Sequence, residues 1–288
     1  SLVLCLLSVS GKAQARNWET DTERRGYFDK RIINRGTPGD DTQTDLGTPG
    51  KDFIRQIGYG GNDTQYISGG AGNDWLGQDG GGGNDNQTIR GGTGNDYLHQ
   101  TGGAGNDIQL SSGDDGNDWL YQDGGAGNDN MNARGDRGND YIFQTAGAGN
   151  DTARINADEG DDLVIIVAGT GIDTITYDAS AGNDQVFING EGGEDSLTIN
   201  AGSLSFALFD MKRREMCKVG EGGSVITVTN VEHITIIDGN GQPIQPICEP
   251  VPVNEGTDED DTQIDLLTPE PDVFLQIGHE EIGGVPAA

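Results

Sequence analysis

The sequence predicts an all-β protein, a parallel β-roll or flattened β-solenoid in which each coil contains two turns and two short strands. Three observations support this prediction. An eleven-residue block is repeated fifteen times without a gap between residues 36 and 200. Position 4 of every block is Gly, and position 6 is Asp. The strand-forming parts of the blocks fall into two kinds that alternate, which doubles the true period to a twenty-two-residue coil. A fixed period of this length indicates stacked coils.

The first six positions of each block are expected to form a turn. Gly at positions 1 and 4 supplies backbone angles that other residues rarely adopt. Asn at position 5 of most blocks tolerates the left-handed region. The last five positions, here called s1 to s5, are predicted to be a strand whose side chains alternate between two faces. Residues 75–79 represent the aromatic kind of strand and residues 86–90 the polar kind.

The side chains at s2 and s4 are predicted to face the interior. Leu76 and Gln78 stand at these positions in one strand, and Gln87 and Ile89 in the other. Opposed strands would place Leu against Ile and Gln against Gln, which gives one aliphatic column and one Gln column. Stacked Gln amides can satisfy one another along the axis, as buried polar groups require. From Leu163 onward the inward positions are apolar.

The repeat also predicts bound calcium. Each block buries about one aliphatic side chain, worth roughly 1.5–3 kcal/mol, while ordering each residue costs about 1–2 kcal/mol. The chain carries a net charge of −31, and its Asp columns recur in every coil. Carboxylates and turn carbonyls are the hard oxygen ligands that Ca²⁺ prefers. Fifteen blocks give at most thirteen pairs of stacked turns. The candidate ligands are Asp41, Asp52, Asp63, Asp74, Asp85, Asp96, Asp107, Asp118, Asp129, Asp140, Asp151, Asp162, Asp173, Asp184 and Asp195.

The turns resemble a known family. Gly69-Gly-Ala-Gly-Asn-Asp74 and Gly102-Gly-Ala-Gly-Asn-Asp107 match the Gly-Gly-x-Gly-x-Asp turn of the RTX (haemolysin-type) calcium-binding repeats, and the resemblance covers residues 36–200. It implies a parallel β-roll with Ca²⁺ between adjacent turns, ligated by the position-6 Asp and turn carbonyls. This chain differs from the family in its period, which is eleven instead of nine. It also differs in carrying an N-terminal export signal, where the family's exporters usually read a C-terminal one.

The two ends of the chain lie outside the repeat. Residues 1–15 are typical of the apolar core and cleavage site of a secretory signal peptide; the alternative is a short apolar strand. Residues 16–35 are predicted to be a polar N-terminal segment, with Ile32 and Ile33 in a capping strand. Residues 201–242 are expected to form a β-rich C-terminal cap, and residues 243–255 a Pro-rich linker. Residues 256–288 begin with a degenerate copy of residues 36–57 and are expected to form a weakly metallated tail.

Two cysteines, Cys217 and Cys248, remain if the signal peptide is removed. In an oxidising compartment we expect a disulfide bond between them.

Two outward faces are candidate contact surfaces. One carries an aromatic strip that either stiffens the roll by mutual stacking or binds extracellular polysaccharide or a neighbouring molecule. Rows of Thr and Asn on the other face resemble those of ice-binding proteins, but Ile108, Leu110 and Arg154 interrupt them. The strip consists of Phe53, Trp75, Tyr97, Trp119 and Tyr141.

No catalytic constellation is present in the sequence. His99, His233 and His279 are isolated, and there is no Gly-x-Ser-x-Gly motif. We therefore expect a secreted, non-enzymatic calcium-binding protein with a structural or adhesive role, whose folding is coupled to Ca²⁺ binding. The alternatives are a calcium-dependent accessory module of a secreted enzyme or toxin, and an ice-binding protein. Neither a nucleic-acid partner nor a membrane span is expected.

Overall fold

The computed structural model describes residues 3–9, 12–18, 28–202, 204, 206–210, 215–219 and 224–250. Within these ranges every regular element is a β-strand. No apolar helix of membrane-spanning length occurs among these residues. The described residues of Ser1–Glu249 form one compact unit.

The strands follow the repeat of the sequence through most of the chain. They are β1 Val3–Val9, β2 Lys12–Trp18, β3 Lys30–Arg35, β4 Thr42–Leu46, β5 Asp52–Ile57, β6 Thr64–Ala71, β7 Trp75–Gly82, β8 Asn86–Thr93, β9 Tyr97–Ala104, β10 Ile108–Asp115, β11 Trp119–Ala126, β12 Asn130–Arg134, β13 Tyr141–Ala148, β14 Thr152–Asn156, β15 Leu163–Val167, β16 Thr174–Asp178, β17 Gln185–Asn189, β18 Ser196–Gly202, β19 Phe206–Asp210, β20 Glu215–Val219, β21 Ser224–Thr229, β22 His233–Asp238 and β23 Ile247–Pro250.

These strands form two sheets. Sheet A has 14 strands in the order β1-β2-β3-β5-β7-β9-β11-β13-β15-β17-β21-β19-β20-β23, and sheet B has nine in the order β22-β18-β16-β14-β12-β10-β8-β6-β4. Within the repeat, neighbouring strands are parallel and pair residues one coil apart in the sequence, as when Tyr97 pairs with both Trp75 and Trp119. The predicted all-β solenoid with a twenty-two-residue coil is therefore confirmed.

The strands turn the corners of the coil without a long loop. Several strands continue past s5 to position 3 of the next block, and the pairing skips only position 1, as at Gly91 between Arg90 and Gly92. From the third block onward, the glycines at positions 2 and 4 have positive φ, for example 97° at Gly81 and 127° at Gly83. The position-5 Asn residues do not use the left-handed region, contrary to the expectation.

From the third block onward, close stacking on the preceding coil explains the Gly at position 4. A Cβ on Gly83 would lie 1.9 Å from the carbonyl oxygen of Gly61 in the preceding coil. We expect Gly83→Ala to lower the free energy of unfolding by about 2–5 kcal/mol, since the new methyl group overlaps backbone at a positive φ. The adjacent Gly82 is the matched control, because the nearest neighbour of its Cβ would be the Tyr59 carbonyl oxygen at 3.9 Å. Urea unfolding in the same calcium buffer should leave Gly82→Ala within about 0.5 kcal/mol of wild type. Equal losses in the two variants would contradict this explanation.

The interior changes character along the axis. The described N-terminal coils bury one aliphatic column on each sheet, with Ile54, Leu76 and Leu98 on sheet A and Ile67 and Ile89 on sheet B. From β15 onward, the side chains at both s2 and s4 are apolar and buried in most strands, as the sequence indicates. The C-terminal half therefore has a conventional hydrophobic core, whereas the N-terminal half depends on polar ladders.

The Gln side chains form two ladders instead of the single column expected. In sheet A, each Gln donates from Nε2 to Oε1 of the Gln in the preceding coil, at 2.5–3.0 Å from Gln56 to Gln144. Sheet B has a separate ladder from Gln43 to Gln109, at 2.8–3.0 Å. Each Nε2 also donates to a main-chain carbonyl of the opposite sheet, as Gln78 does to Thr88 at 3.0 Å. The amides therefore join the two sheets as well as successive coils.

A Gln within a ladder should matter more than one at its end. We expect Gln100→Leu to destabilise the protein by about 2–5 kcal/mol, because Gln78 Oε1, Gln122 Nε2 and the Leu110 carbonyl each lose a buried hydrogen bond. In the control Gln144→Leu, only Gln122 Oε1 and the Arg154 carbonyl lose a bond, since Gln144 Oε1 already lacks a partner. Thermal unfolding of both variants at saturating calcium checks this, and an equal loss in both would show that the ladder bonds do not set the cost.

Both ends of the repeat array are covered. At the N-terminus β1 and β2 pair antiparallel, and β2 pairs antiparallel with β3, where Arg16 lies opposite Asn34. The β1 strand agrees with the alternative given above for residues 1–15, a short apolar strand. The secretory signal peptide stays a prediction. After Asn200 the stack gains another coil, because β21 adds to β17 and β22 to β18 in parallel. The β19–β20 hairpin then covers the outer edge of β21. Residues 251–288, which include the degenerate tail, lie outside the described part of the chain.

Candidate metal centre

The position-6 Asp residues line the two edges of the stack. Each one immediately precedes or begins a strand, because the turn ends there. One column leads into sheet B and runs from Asp41 to Asp195, and the other leads into sheet A and runs from Asp52 to Asp184. Each of the fifteen side chains is 0–3% exposed. The structure therefore places the predicted ligands in two buried columns.

From Asp63 to Asp195, one carboxylate oxygen of each position-6 Asp has a structural partner in the backbone. In both columns, Oδ1 accepts a hydrogen bond from the main-chain N–H of the Asp in the preceding coil, at 2.6–3.2 Å. A buried N–H group needs such a partner. This ladder is a sufficient structural reason for an acceptor at position 6 of every block.

The second carboxylate oxygen is left without a donor in most blocks. Oδ2 is buried and has no hydrogen-bond partner in Asp63, Asp74, Asp85, Asp96, Asp107, Asp118, Asp129, Asp140, Asp151, Asp162, Asp173 and Asp195. A buried carboxylate oxygen without a partner is costly. A ladder that needed only an acceptor would be served by Asn, so the orphaned oxygens point to a cation or a proton.

A position-6 Asp together with its turn is called a rung here. Three rungs differ from the others, because Oδ2 of their Asp has hydrogen-bond donors. Oδ2 of Asp41 accepts hydrogen bonds from the main-chain N–H and the hydroxyl of Thr37. Thr48 gives Asp52 the same two kinds of bond. Asp184 Oδ2 accepts from the Tyr177 hydroxyl at 3.2 Å and the Ser180 hydroxyl at 3.1 Å. In these three rungs, N–H or hydroxyl groups of the protein itself therefore donate to Oδ2.

Burial shifts the titration of the ladder. Desolvation is the largest cause, and it raises the carboxyl pKa, while the N–H bond to Oδ1 lowers it in part and neighbouring acids in the column raise it further. The pKa is raised to about 8 for Asp118 and to about 7 for Asp74 and Asp162. It is raised to about 6 for Asp63, Asp85, Asp96, Asp107, Asp129, Asp140 and Asp151. Burial also raises the pKa of Asp173, Asp184 and Asp195.

Beside most of the orphaned oxygens, the carboxylate and a carbonyl oxygen of the next coil approach the position-1 Gly. A Cβ added to Gly69, at position 1 of its block, would lie 2.4 Å from Asp74 Oδ2 and 2.5 Å from the carbonyl oxygen of Gly91 in the next coil. Only Gly lets a carboxylate and a carbonyl oxygen approach so closely. Both are hard oxygen donors of the type that Ca²⁺ binds.

The other ligands would have to come from the backbone. No group of three or more Asp, Glu, His or Cys side chains that could hold a metal occurs among the described residues. Ca²⁺ takes about six to eight oxygens. The position-6 carboxylates would therefore be joined by turn carbonyls and water, as the family resemblance implies.

The position-5 Asn residues have a role that sequence reasoning missed. Their side-chain Oδ1 accepts a hydrogen bond from the main-chain N–H of the position-5 residue in the next coil, as Asn84 does from Asn106 at 2.8 Å. The same bond recurs along both edges at 2.7–3.0 Å. The sequence did contain a signal for this role, namely the recurrence of Asn at position 5. Amide oxygens stacked at the same position can each accept a hydrogen bond from the neighbouring coil.

Sequence reasoning also missed a cluster of charged residues in the turns that lead into sheet A. Asp114, Asp136 and Asp158 occupy position 2 of alternate blocks with φ of 68–71°. Arg134 lies 2.9 Å from Asp136 and 3.0 Å from Asp158, while Arg137 lies 2.9 Å from Asp115. These pairs are partly exposed, so each contributes little to stability.

The aromatic strip is a continuous stack along sheet A. Ring centroids are 4.6 Å apart for Phe53 and Trp75, 5.8 Å for Trp75 and Tyr97, and 4.4 Å for Trp119 and Tyr141. A second stack at s3 joins His99, Tyr121 and Phe143 at 4.7 and 5.4 Å. Most of these rings face one another along the axis, which favours mutual stacking over stacking against sugar rings. Trp119 is the exception, since its ring is tilted by 42° and 46° to those of Tyr97 and Tyr141.

The structure bonds Cys217 to Cys248, the pair expected from the sequence, with an S–S distance of 2.06 Å. No protein-family model, curated protein or solved structure matches the chain.

Proposed function

We propose that this chain is a secreted, non-enzymatic calcium-binding β-roll, similar to RTX repeats, with a structural or adhesive role at the cell surface or in an extracellular matrix. The observation that carries the proposal is the pair of buried columns in which carboxylate oxygens lack donors. Bound Ca²⁺ would supply the positive charge that these columns need. Folding would then be coupled to metal binding.

Other features support the same proposal. Keeping two dense acidic columns inside a protein requires a counter-charge, since like charges about 5 Å apart in a buried site repel strongly. The Cys217–Cys248 bond is typical of proteins from oxidising compartments and supports secretion. The stacked aromatics and the two Gln ladders link successive coils, which suits a structural role.

Calcium titration tests this proposal. Purified protein is dialysed against EGTA and then returned to Ca²⁺, and far-ultraviolet circular dichroism and the number of bound ions are recorded at each step. We expect strand content to be gained with Ca²⁺ and several ions to be retained after dialysis. Mg²⁺ at the same concentration should restore much less structure, because it demands a stricter octahedral site. Unchanged secondary structure after EGTA, with no retained calcium, would refute the proposal.

The alternatives make different demands. Ice binding requires a regular flat face, but Ile108 and Leu110 are 42% and 41% exposed in the middle of the Thr and Asn rows of sheet B. Thermal hysteresis that chelation abolishes would nevertheless favour it. A role as an accessory module would be favoured by a longer gene product with a catalytic domain.

A further inference from the structure

The fifteen Asp rungs are not equivalent, and two criteria separate them. A rung is called open here when position 1 of its block is Gly and the Asp Oδ2 has no partner. The open rungs are those of Asp63, Asp74, Asp85, Asp96, Asp107, Asp118, Asp129 and Asp140, which are consecutive, together with Asp195. All other rungs are called closed.

The open rungs share one local geometry. A Cβ on the position-1 Gly would lie 2.2–2.7 Å from the Asp Oδ2 of the same block. It would also lie 2.2–2.8 Å from a main-chain carbonyl oxygen of the next coil. One charged and one neutral oxygen thus converge beside this Gly, and the charged oxygen is buried without a donor.

The closed rungs are closed in two different ways. In the first coil, Thr37 and Thr48 fill the role of a cation by donating to Asp41 and Asp52. In the blocks that begin at residues 146 to 179, position 1 is Ala instead of Gly, which puts a methyl group at the position where the two oxygens converge in the open rungs. At Ala179 the rung is closed a second time, because Tyr177 and Ser180 donate to Asp184. Three of these alanines are 0–1% exposed, namely Ala146, Ala157 and Ala168.

The four closed rungs with Ala at position 1 coincide with the start of the aliphatic core. Ala occupies position 1 from residue 146 to residue 179, and the s4 Gln of sheet A gives way to Ile166 in the coil after Gln144. The aliphatic core therefore begins where the run of open rungs ends. Conversely, the consecutive open rungs lie in the segment whose core contains the two Gln ladders.

We propose that the calcium sites are confined to the open rungs and that the closed rungs form metal-independent coils on either side of the consecutive open ones. This inference rests on the proposed calcium role and restricts it. It lowers the expected number of ions from thirteen to at most one for each open rung. It also predicts that a folded C-terminal segment persists after chelation, when the segment from residue 58 to residue 145 has lost its structure.

Exchanging Gly and Ala at position 1 tests the assignment. Gly102→Ala introduces at position 1 the methyl group that the chain already tolerates in the later blocks. Ala157→Gly removes this methyl group from the block of Asp162. Ions bound after dialysis against Ca²⁺ are counted for each variant. We expect Gly102→Ala to retain at least one ion fewer than wild type and Ala157→Gly to retain one more. The control Gly82→Ala, at position 3, should retain the wild-type number.

The outcomes separate the two proposals. If the wild-type chain binds no calcium, the proposed function is refuted. A wild-type chain that binds calcium, with the same ion count in Gly102→Ala and Ala157→Gly, leaves the proposed function standing and overturns this inference. If Gly102→Ala fails to fold, Ala157→Gly decides alone, since it only removes a methyl group. Hydrogen exchange after EGTA provides a readout independent of ion number: uniform loss of protection along the described coils would also overturn the inference.

Discussion

In calcium-free buffer, the segment from residue 58 to residue 145 is expected to be unfolded at pH 8 and to fold as the pH falls toward 5. The pKa values of the buried carboxyls are raised on folding, from 3.8 to about 6 at Asp107, about 7 at Asp74 and about 8 at Asp118. A raised pKa means that the neutral form favours the folded state. The stabilisation is complete below about pH 4 and is lost as the pH rises through about 6 to 8. Protons and calcium are thus alternative ways to neutralise the same columns.

Circular dichroism of the calcium-free protein between pH 4 and pH 8 measures this effect. The control is the same titration at saturating Ca²⁺, where the folded state should persist at pH 8 because the metal holds the charged carboxylates. Bound calcium should be released on acidification while strand content remains. A calcium-free protein that is equally folded at pH 5 and pH 8, or less folded at pH 5, would contradict the assignment of the Asp columns as the dominant electrostatic cost.

Replacing Asp by Asn at the eight consecutive open rungs, from Asp63 to Asp140, should yield a chain that folds at pH 8 without calcium. The amide oxygen can keep the hydrogen bond that Oδ1 accepts from the preceding coil. The amide nitrogen would take the place of Oδ2 as a neutral donor, beside the main-chain carbonyl oxygen of the next coil. The substitution removes eight negative charges from a buried site. We expect the variant to lose most of its response to calcium, chelator and pH.

A single rung shows whether the hydrogen bond or the charge dominates. Asp107→Asn should stabilise the calcium-free form, whereas Asp107→Ala should destabilise both forms by about 1–3 kcal/mol, because the buried N–H of Asp85 loses its acceptor. Urea unfolding of both variants with and without Ca²⁺ gives the comparison. If the eightfold Asn variant needs calcium as much as wild type does, the carboxylates are not its ligands.

Much of the fold could be predicted from the repeat. The doubled period predicts which residues stack, and the alternation of Leu76 and Gln78 predicts which side chains face inward. Columns of Asp and Gln follow directly, because each coil adds the same residue above the last. The two Gln ladders could not be predicted in detail, since the sequence does not say whether amides pair within a sheet or across the coil. The structure pairs them within each sheet and uses the second N–H to reach the opposite one.

The sequence by itself determined the length of the coil, its register and the lining of its interior, because a strict repeat allows only one stacking that keeps identical positions together. Only the tertiary structure decided which carboxylate oxygens have donors. That depends on whether a Thr or Tyr hydroxyl reaches the Asp side chain, as at Asp52 and Asp184, whereas Oδ2 of Asp162 has no donor. Packing at the corner of the coil sets such contacts. Position 6 is Asp in every block, so this residue alone does not distinguish the rungs.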